Sequence, residues 1–238
     1  MKRFWKTACI SEVAFGHAVH LDDRAVRTPA KQPFVMPSRA LAEAIAAEWD
    51  GQGDAVVPAS MPLTRAANTA IDRVAVQRTE VIATVAAYGE TDLVCYRAPH
   101  PRGLAARQAE VWDPLLSWAE EVLAAPLRVA EGVMFVGQDS AALEALRRAV
   151  QAHDDWELTA LHDLVALSGS LVIGLALSAG RLDPASAWPL SRIDEDWNIA
   201  EWGEDDEARA AAEGKRAEFE AAARFLDLVR ARSETGAR

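Results

Sequence analysis

The stretch Leu164 to Gly180, LVALSGSLVIGLALSAG, is the longest uncharged run in the chain. It has seventeen residues, three of them serines, and a charged residue bounds it at each end. A helix that crosses a bilayer needs about 20 predominantly apolar residues, so this run falls just short of that length. The run therefore predicts a buried central helix of a bundle, continuous over residues 156–179, and no membrane insertion. Gly169 and Gly174 are expected to let neighbouring helices approach closely.

The chain on either side of this run, from residue 63 onward, also has the apolar period of helices. Further helices are predicted over residues 63–78, 79–88, 102–123, 140–153, 184–202 and 204–232. One short extended piece near residues 127–135 interrupts them and is expected to rejoin the sheet that the N-terminal residues form.

The first 36 residues have a different character, since they are rich in Val, Phe and Thr and contain closely spaced turn residues. Strands are predicted over residues 4–13, 14–23, 24–29 and 33–37. Connections this short favour antiparallel pairing. The sequence then predicts a helix that Pro37 and Ser38 begin and Gly51 ends, and this helix should cover one face of the sheet.

These patterns together predict an α+β fold with two domains. A small antiparallel sheet with its covering helix forms the N-terminal domain, residues 1–62. A larger all-helical domain follows over residues 63–238. The length of 238 residues and the 50% of apolar residues are sufficient for a substantial core.

The overall charge limits the classes of partner. A net charge of -11 and a pI near 5.0 argue against nucleic acid and against an anionic membrane surface. Cys9 and Cys95 are too few and too far apart to predict a disulfide framework or a thiolate metal site. No apolar segment follows the basic start MKRF, so no signal peptide is predicted and the protein is expected in the cytoplasm.

The segment Ser191 to Glu207, SRIDEDWNIAEWGEDDE, combines eight carboxylates with two tryptophans. Helical geometry separates its apolar side chains into two stripes. The stripe assigned to core packing consists of Leu190, Ile193, Trp197 and Ala200. The other stripe is the candidate recognition surface and consists of Glu195, Ile199 and Trp202. The alternative is that Trp202 packs on a neighbouring helix while the acidic residues are merely solvated.

Known catalytic and metal-binding motifs fail at definite positions. Leu175 stands where a phosphate-binding loop requires lysine. Ile199 stands where a calcium loop requires glycine, although Asp194, Asp196, Asn198 and Asp205 occupy ligand positions of such a loop. His153 and His162 have no G-x-S-x-G nucleophile motif with them. No cofactor or metal is therefore expected, and an acidic-site hydrolase or metal-binding protein stays as the alternative function.

Seven motifs, taken together and in order, are similar to those of one family. They are FWK at 4–6, LDDRAVRTP at 21–29, AEWD at 47–50, PLTRAANTAID at 62–72, ETDLVCYRA at 90–98, WDPLLSWA at 112–119 and SRIDEDWNIAEWG at 191–203. With these motifs the chain resembles the assembly chaperones that bind the alpha subunit of the F-type ATP synthase before it enters the catalytic head. The resemblance covers most of the chain and implies a bacterial member.

The resemblance implies a chaperone rather than an enzyme, with the unassembled alpha subunit as its partner. It also implies a small sheet-containing domain and a helical domain. Within the last motif, Glu195 is the residue expected to contact the alpha subunit. The supporting residues are Asp194, Asp196, Ile199, Glu201 and Trp202. A monomer is expected, and a general scaffold for many clients is a third possible function.

Overall fold

The computed structural model describes residues 2–231, which contain ten α-helices and six β-strands. The strands are β1 Ala8–Val13, β2 Gly16–Leu21, β3 Arg24–Ala25, β4 Val35–Met36, β5 Tyr96–Arg97 and β6 Ala130–Glu131. The helices are α1 Arg39–Asp50, α2 Pro62–Thr69, α3 Arg78–Ala87, α4 Arg102–Leu123, α5 Ser140–Gln151, α6 Asp155–Ser168, α7 Leu171–Ser178, α8 Pro184–Leu190, α9 Ile193–Trp202 and α10 Asp206–Arg230. Short 3₁₀ turns occupy Pro58–Ser60, Tyr88–Glu90 and Leu93–Cys95, and a π-helical turn, Ala70–Val74, follows α2. The helices and strands together confirm the predicted α+β class.

The contacts of the chain define two compact units. The first contains residues 2–78, 155–160 and 221–231, and the second contains residues 79–154 and 161–220. Helices α6 and α10 each contribute residues to both units. The predicted boundary at residue 62 does not coincide with an edge of either unit. The division into domains 1–62 and 63–238 stays a proposal.

The first unit contains the predicted small antiparallel sheet. Strand β2 is central, since β1, β3 and β4 all pair with it in antiparallel register. Helix α1 packs on β1 and β2 and buries Leu41 and Ile45 completely. Ser38 begins this helix as predicted, because its Oγ accepts a hydrogen bond from the Leu41 N–H at 3.1 Å.

Carboxylates from the family-like motifs join distant segments of the first unit. Asp22 accepts hydrogen bonds from the backbone N–H groups of Lys6 and Thr7, both at 3.0 Å. Asp72 accepts one from the Thr28 hydroxyl at 2.7 Å. Each carboxylate therefore connects two motifs that lie well apart in the sequence, and its role is structural.

Helix α2 begins with a cap that another helix supplies. Its N-cap residue, Met61, makes no side-chain hydrogen bond. Instead, the carboxylate of Glu48 on α1 accepts from the N–H groups of Leu63 and Thr64, both at 2.8 Å. A negative charge at a helix N-terminus satisfies free donors and is favourable to the helix dipole.

The central apolar run forms two helices, so the predicted continuous helix over 156–179 is wrong. Helix α6 ends at Ser168, and Gly169 adopts a positive φ of +70°. Ser170 then caps α7 by accepting from the Ile173 N–H at 3.0 Å. A Cβ atom placed on Gly169 would meet no atom within 4 Å, so this glycine supplies the backbone conformation of the turn between α6 and α7 rather than a close helix contact.

Gly174 has the close-contact role that was predicted for it. A Cβ atom placed on this residue would lie 2.6 Å from Cγ2 of Val165 on α6. All eight residues of α7 are buried. Within the described residues 2–231, none of the helices has both the length and the apolar character needed to cross a membrane.

Three other predicted elements differ from the structure. The piece near 127–135 forms β6, which pairs in parallel with β5 and not with the N-terminal sheet, so the prediction that it rejoins that sheet is wrong. The predicted helix over 184–202 divides into α8 and α9, since Arg192 leaves the helical conformation at φ -120°, ψ 15°. The helix predicted over 63–78 ends at Thr69 and continues as the π-helical turn. Residue 232, where the last helix is predicted to end, lies outside the described residues.

Candidate functional site

Helix α9 carries the acidic and aromatic residues singled out by the sequence, and one side of it is anchored to α4. Ile193 is buried, and Trp197 is half-buried over the start of α4. A Cβ atom on Gly103 would lie 2.8 Å from Cη2 of Trp197, so the absent side chain makes room for the indole ring. Ile193 and Trp197 therefore confirm the predicted packing stripe. Ala200 is exposed, and its assignment to that stripe is wrong.

Leu190, which directly precedes the acidic segment 191–207, is held in place through its backbone carbonyl. Its carbonyl oxygen accepts a hydrogen bond from Nε1 of Trp112 on α4 at 2.8 Å. The Leu190 side chain is half-buried. The anchor on α4 thus begins before α9 itself begins.

A buried glutamine of α4 connects α9 to the chain beyond β5. The Gln108 side chain is only 2% exposed. Its Oε1 accepts from the Ala98 N–H at 2.7 Å, and its Nε2 donates to Oδ1 of Asp194 at 2.5 Å. Asp194 therefore uses one carboxylate oxygen in an internal contact.

Sequence reasoning missed Gln108, although a signal was present. The buried stripe of α4 contains Leu104, Trp112 and Leu115, and Gln108 interrupts that apolar series at helical spacing. A polar side chain inside an apolar stripe needs a hydrogen-bond partner, because a buried amide without one is costly.

Asp196 also has a partner on its own helical segment. Arg192 lies 3.6 Å from Oδ1 of Asp196, and its Cζ atom lies 5.8 Å from the centre of the Trp188 ring. The Arg192 side chain is 17% exposed. This pair stabilises the junction between α8 and α9.

The outward side of α9 presents a different set of side chains. Glu195 is exposed, and within residues 2–231 its carboxylate has no hydrogen-bond or ion-pair partner. Trp202 is 79% exposed, so the alternative in which it packs on a neighbouring helix is wrong. Ile199 is half-buried and lies between them at the i, i+4, i+7 spacing of one helix face. We call Glu195, Ile199 and Trp202 the acidic-aromatic face.

Glu201 is exposed but lies on a different side of α9. Its position is about 120° around the helix from Glu195 at 100° per residue. Of the six predicted site residues, the structure brings three onto the acidic-aromatic face. Asp194 and Asp196 are held by internal contacts, and Glu201 stands apart.

The structure also places the residues of the rejected calcium loop. Asp194, Asp196 and Asn198 lie on helix α9 rather than on a turn. Asp205 lies just before α10, where its Oδ2 accepts from the Ala208 N–H at 3.2 Å. In the part of the chain that the structure describes, no group of three or more His, Cys, Asp or Glu residues is arranged to hold a metal ion.

A serine and a histidine that are distant in sequence meet inside the second unit. Nε2 of His153 lies 2.7 Å from Oγ of Ser178, and Nδ1 lies 3.0 Å from the Ala149 carbonyl oxygen. Because that carbonyl can only accept, Nδ1 carries a proton. His153 is 9% and Ser178 is 5% exposed, so the pair connects the turn after α5 to the end of α7 away from solvent.

Known proteins have similar sequences and the same fold. A family model described as ATP12 chaperone protein matches residues 2–120. The crystal structure of Atp12 from Paracoccus denitrificans is 48% identical, with a TM-score of 0.92 over 96% of this chain and 98% of that one. A mutant of the P. denitrificans protein with one aspartate replaced by lysine is likewise 48% identical, with a TM-score of 0.92 over 96% of this chain and 97% of that one.

A second bacterial protein is also similar. The Agrobacterium tumefaciens protein Atu1473, described as a candidate chaperone, is 40% identical with a TM-score of 0.91. The match covers 95% of this chain and 85% of that chain. The similarity to these structures therefore extends well beyond the first 120 residues and covers nearly the entire chain.

Proposed function

Because the chain belongs to the ATP12 chaperone family, we propose that it assists assembly of the F-type ATP synthase by binding the unassembled alpha subunit. It shields the surface of that subunit until beta subunits replace it. Membership confirms the family that the seven motifs predicted. The identity of the subunit and the residues that contact it are part of the proposal.

The need for such a protein follows from the nature of subunit interfaces. Interfaces in permanent complexes are large and more apolar than ordinary protein surface. A subunit made alone exposes such a surface, which favours aggregation. A chaperone for it must bind firmly enough to prevent aggregation, and its contact must be small enough for the true neighbour to displace it.

The acidic-aromatic face has the properties of such a moderate contact. We assign Glu195 to an ion pair with an arginine or lysine of the alpha subunit, while Ile199 and Trp202 supply apolar contact. Charge at the edge of an interface mainly steers association, and aromatic residues supply much of the binding free energy. Asp194, Asp196 and Glu201 add negative potential around this contact.

The single observation that carries the site assignment is the 79% exposure of Trp202 beside the unpaired Glu195. A large aromatic side chain in solvent loses the free energy that burial would supply. The opposite side of the same helix is anchored on α4 through Ile193, Trp197 and Asp194. The helix therefore has a fixed side and a side available to a partner.

Glu195→Lys tests this function. Purified alpha subunit is titrated with the wild-type protein and with the variant, and the complex is measured by analytical gel filtration. We expect the lysine variant to bind at least about tenfold more weakly, because it opposes a cationic partner. Glu213→Lys is the matched control. Glu213 is exposed on α10, and its substitution by lysine changes the net charge by the same amount.

The possible results distinguish an error in the proposed binding surface from an error in the proposed partner. Undiminished binding by a folded Glu195→Lys protein removes the acidic-aromatic face from the interface. If the wild-type protein itself forms no complex with the alpha subunit, the proposed partner is wrong. The same titration gives the stoichiometry, which tests the expected monomer. Action in the cytoplasm and without ATP hydrolysis also stays part of the proposal.

A further inference from the structure

A loop of the second unit exposes three consecutive large apolar side chains. It consists of residues 132–137, GVMFVG, and we call it the apolar loop. Val133 is 95% exposed, Met134 is 76% exposed and Phe135 is 64% exposed. Single apolar residues are common on protein surfaces, but a contiguous group of this kind marks a contact site more often.

The base of the apolar loop is closed by hydrogen bonds between residues on its two sides. The Arg128 N–H donates to Oε1 of Gln138 at 2.7 Å, and Nε2 of Gln138 donates back to the Arg128 carbonyl at 3.0 Å. Nη1 of Arg128 donates to the Gly137 carbonyl at 3.1 Å, and Nη2 lies 3.4 Å from Asp139. These contacts hold the base in one conformation while leaving the apolar tip outside it.

A pre-organised loop favours binding, because less conformational entropy is lost when its partner arrives. The apolar tip also has no internal packing function, since its side chains are exposed. The base and the tip thus have separate roles. The base fixes the shape, and the tip supplies apolar surface.

The apolar loop is tied to the same scaffold as the acidic-aromatic face. Strand β6, which leads into the loop, pairs with β5, and the Gly132 N–H donates to the Arg97 carbonyl at 2.8 Å. The next residue, Ala98, bonds to Gln108, which in turn bonds to Asp194 on α9. A short chain of hydrogen bonds therefore links the base of the loop to the helix of the proposed site.

The chemistry of the tip and of the whole chain selects a protein as its partner. Residues 133–136 carry no charge, so the tip has no means of binding phosphate groups. A chain with net charge -11 is repelled by anionic lipid and by a second copy of itself. Three side chains are also far smaller than the roughly 800 Å² per partner of a stable interface, so the tip must be part of a larger contact.

We propose that the apolar loop is a second contact for the alpha subunit, in which Val133, Met134 and Phe135 enter an apolar concavity of the unassembled subunit. This inference rests on the proposed function. The acidic-aromatic face supplies a charged contact that salt weakens, and the apolar loop supplies a contact that salt leaves nearly unchanged. Two separated contacts hold one client more firmly than either alone.

The test uses the full chain with all three tip residues changed to serine: Val133→Ser, Met134→Ser and Phe135→Ser. Its control changes three exposed apolar residues of the first unit to serine: Phe15→Ser, Val57→Ser and Val76→Ser. Alpha-subunit binding is measured by titration at low and high salt. We expect the loop variant to bind at least about tenfold more weakly at both salt concentrations, and the control to bind as the wild-type protein does.

A second measurement reports contact directly. A photo-crosslinking amino acid at position 134 is irradiated in the complex with the alpha subunit, and the crosslinked peptide is identified by mass spectrometry. Crosslinking to the alpha subunit supports the inference. If wild-type protein binds the alpha subunit while the loop variant binds equally well and position 134 gives no crosslink, the inference is wrong and the proposed function stands.

Three further outcomes would each contradict the proposed contact between the apolar loop and the alpha subunit. If the loop variant and the control lose the same amount of affinity for the alpha subunit, general surface apolarity and not this loop causes binding. Self-association of the wild-type protein that the loop variant abolishes identifies a second copy as the occupant. Flotation with anionic vesicles that depends on the loop identifies a lipid surface. Each of these results overturns the inference, and absence of any wild-type complex overturns the proposed function with it.

Discussion

The carboxylate of Asp92 accepts a hydrogen bond at 2.9 Å from the backbone N–H of Val172, eighty residues further along the chain. Its other oxygen accepts from the Val94 N–H at 3.1 Å. Asp92 is completely buried, and it satisfies a free donor in the first turn of α7 as well as one in the turn that leads to β5. A single side chain thus fixes the start of the most buried helix.

Burial raises the pKa of Asp92 from 3.8 to about 6, because loss of solvent penalises the charged form more than the hydrogen bonds favour it. A pKa that is higher in the folded state than in the unfolded state stabilises the fold most when the group is protonated. This contribution is complete below about pH 4 and is lost as pH rises to about 6. The full difference amounts to about 3 kcal/mol.

Comparison of the wild-type protein with Asp92→Asn isolates this effect. We expect the wild-type free energy of unfolding, relative to that of the variant, to increase as the pH falls from 7 to 4.5. Urea titrations at several pH values measure it. A constant difference across this range would show that Asp92 does not change its protonation. The variant is also less stable at pH 7, because its amide group cannot accept both hydrogen bonds.

Glu48 is predicted to matter far more for stability than Glu43 on the same helix. Glu48→Ala leaves the N–H groups of Leu63 and Thr64 without their acceptor at the start of α2, and each charged hydrogen bond contributes about 1.5 to 3 kcal/mol. Glu43 forms an ion pair with Arg39 at 2.7 Å on an exposed surface, so Glu43→Ala should cost about 0.5 kcal/mol or less. Chemical denaturation of the two alanine variants gives the comparison. Equal losses in the free energy of unfolding would exclude the capping role of Glu48.

Glu48 and Asp92 show which part of the fold the sequence could predict. Apolar period and turn residues predicted the N-terminal sheet, α1 and α4, since those signals are local. The acceptors that join separate segments could not be predicted, because the partner of each is a backbone N–H group with no identity in the sequence. The family-like motifs contain both residues, yet their contacts are structural.

The candidate site was predictable to a similar extent. Helical phasing placed Glu195, Ile199 and Trp202 on one face, because the spacing within one helix is local information. It did not show that Asp194 is drawn inward by Gln108, which lies 86 positions away in the sequence. The apolar loop gave no periodic signal, and its short strand was assigned to the wrong sheet.

Gly174→Ala should destabilise the protein although alanine favours helices. The added Cβ would lie 2.6 Å from Val165 and would also lie 3.3 Å from Leu161, so α6 and α7 must separate or repack. Overpacking of this kind costs about 1 to 3 kcal/mol. Gly214→Ala is the control, because it lies within α10 with no atom within 4 Å of the added Cβ. Thermal unfolding should show a lower Tm for the first variant and an equal or higher Tm for the second.

Gly103→Ala is expected to loosen α9 while leaving the rest of the fold nearly as stable. The new methyl group would lie 2.8 Å from the Trp197 ring, so the indole must leave its place on α4. The gain in helix propensity for α4 offsets part of the lost contact, which keeps the change in global stability small.

Hydrogen exchange of the α9 amides measures this loosening, because local opening is detected before global unfolding. We expect faster exchange across residues 193–202 in Gly103→Ala and no change there in Gly53→Ala, whose added Cβ meets no atom within 4 Å. Unchanged protection of α9 would mean that Trp197 shifts without releasing the helix. In that case the anchor lies with Ile193 and the Gln108 to Asp194 hydrogen bond, and removal of the Gln108 side chain should produce the faster exchange instead.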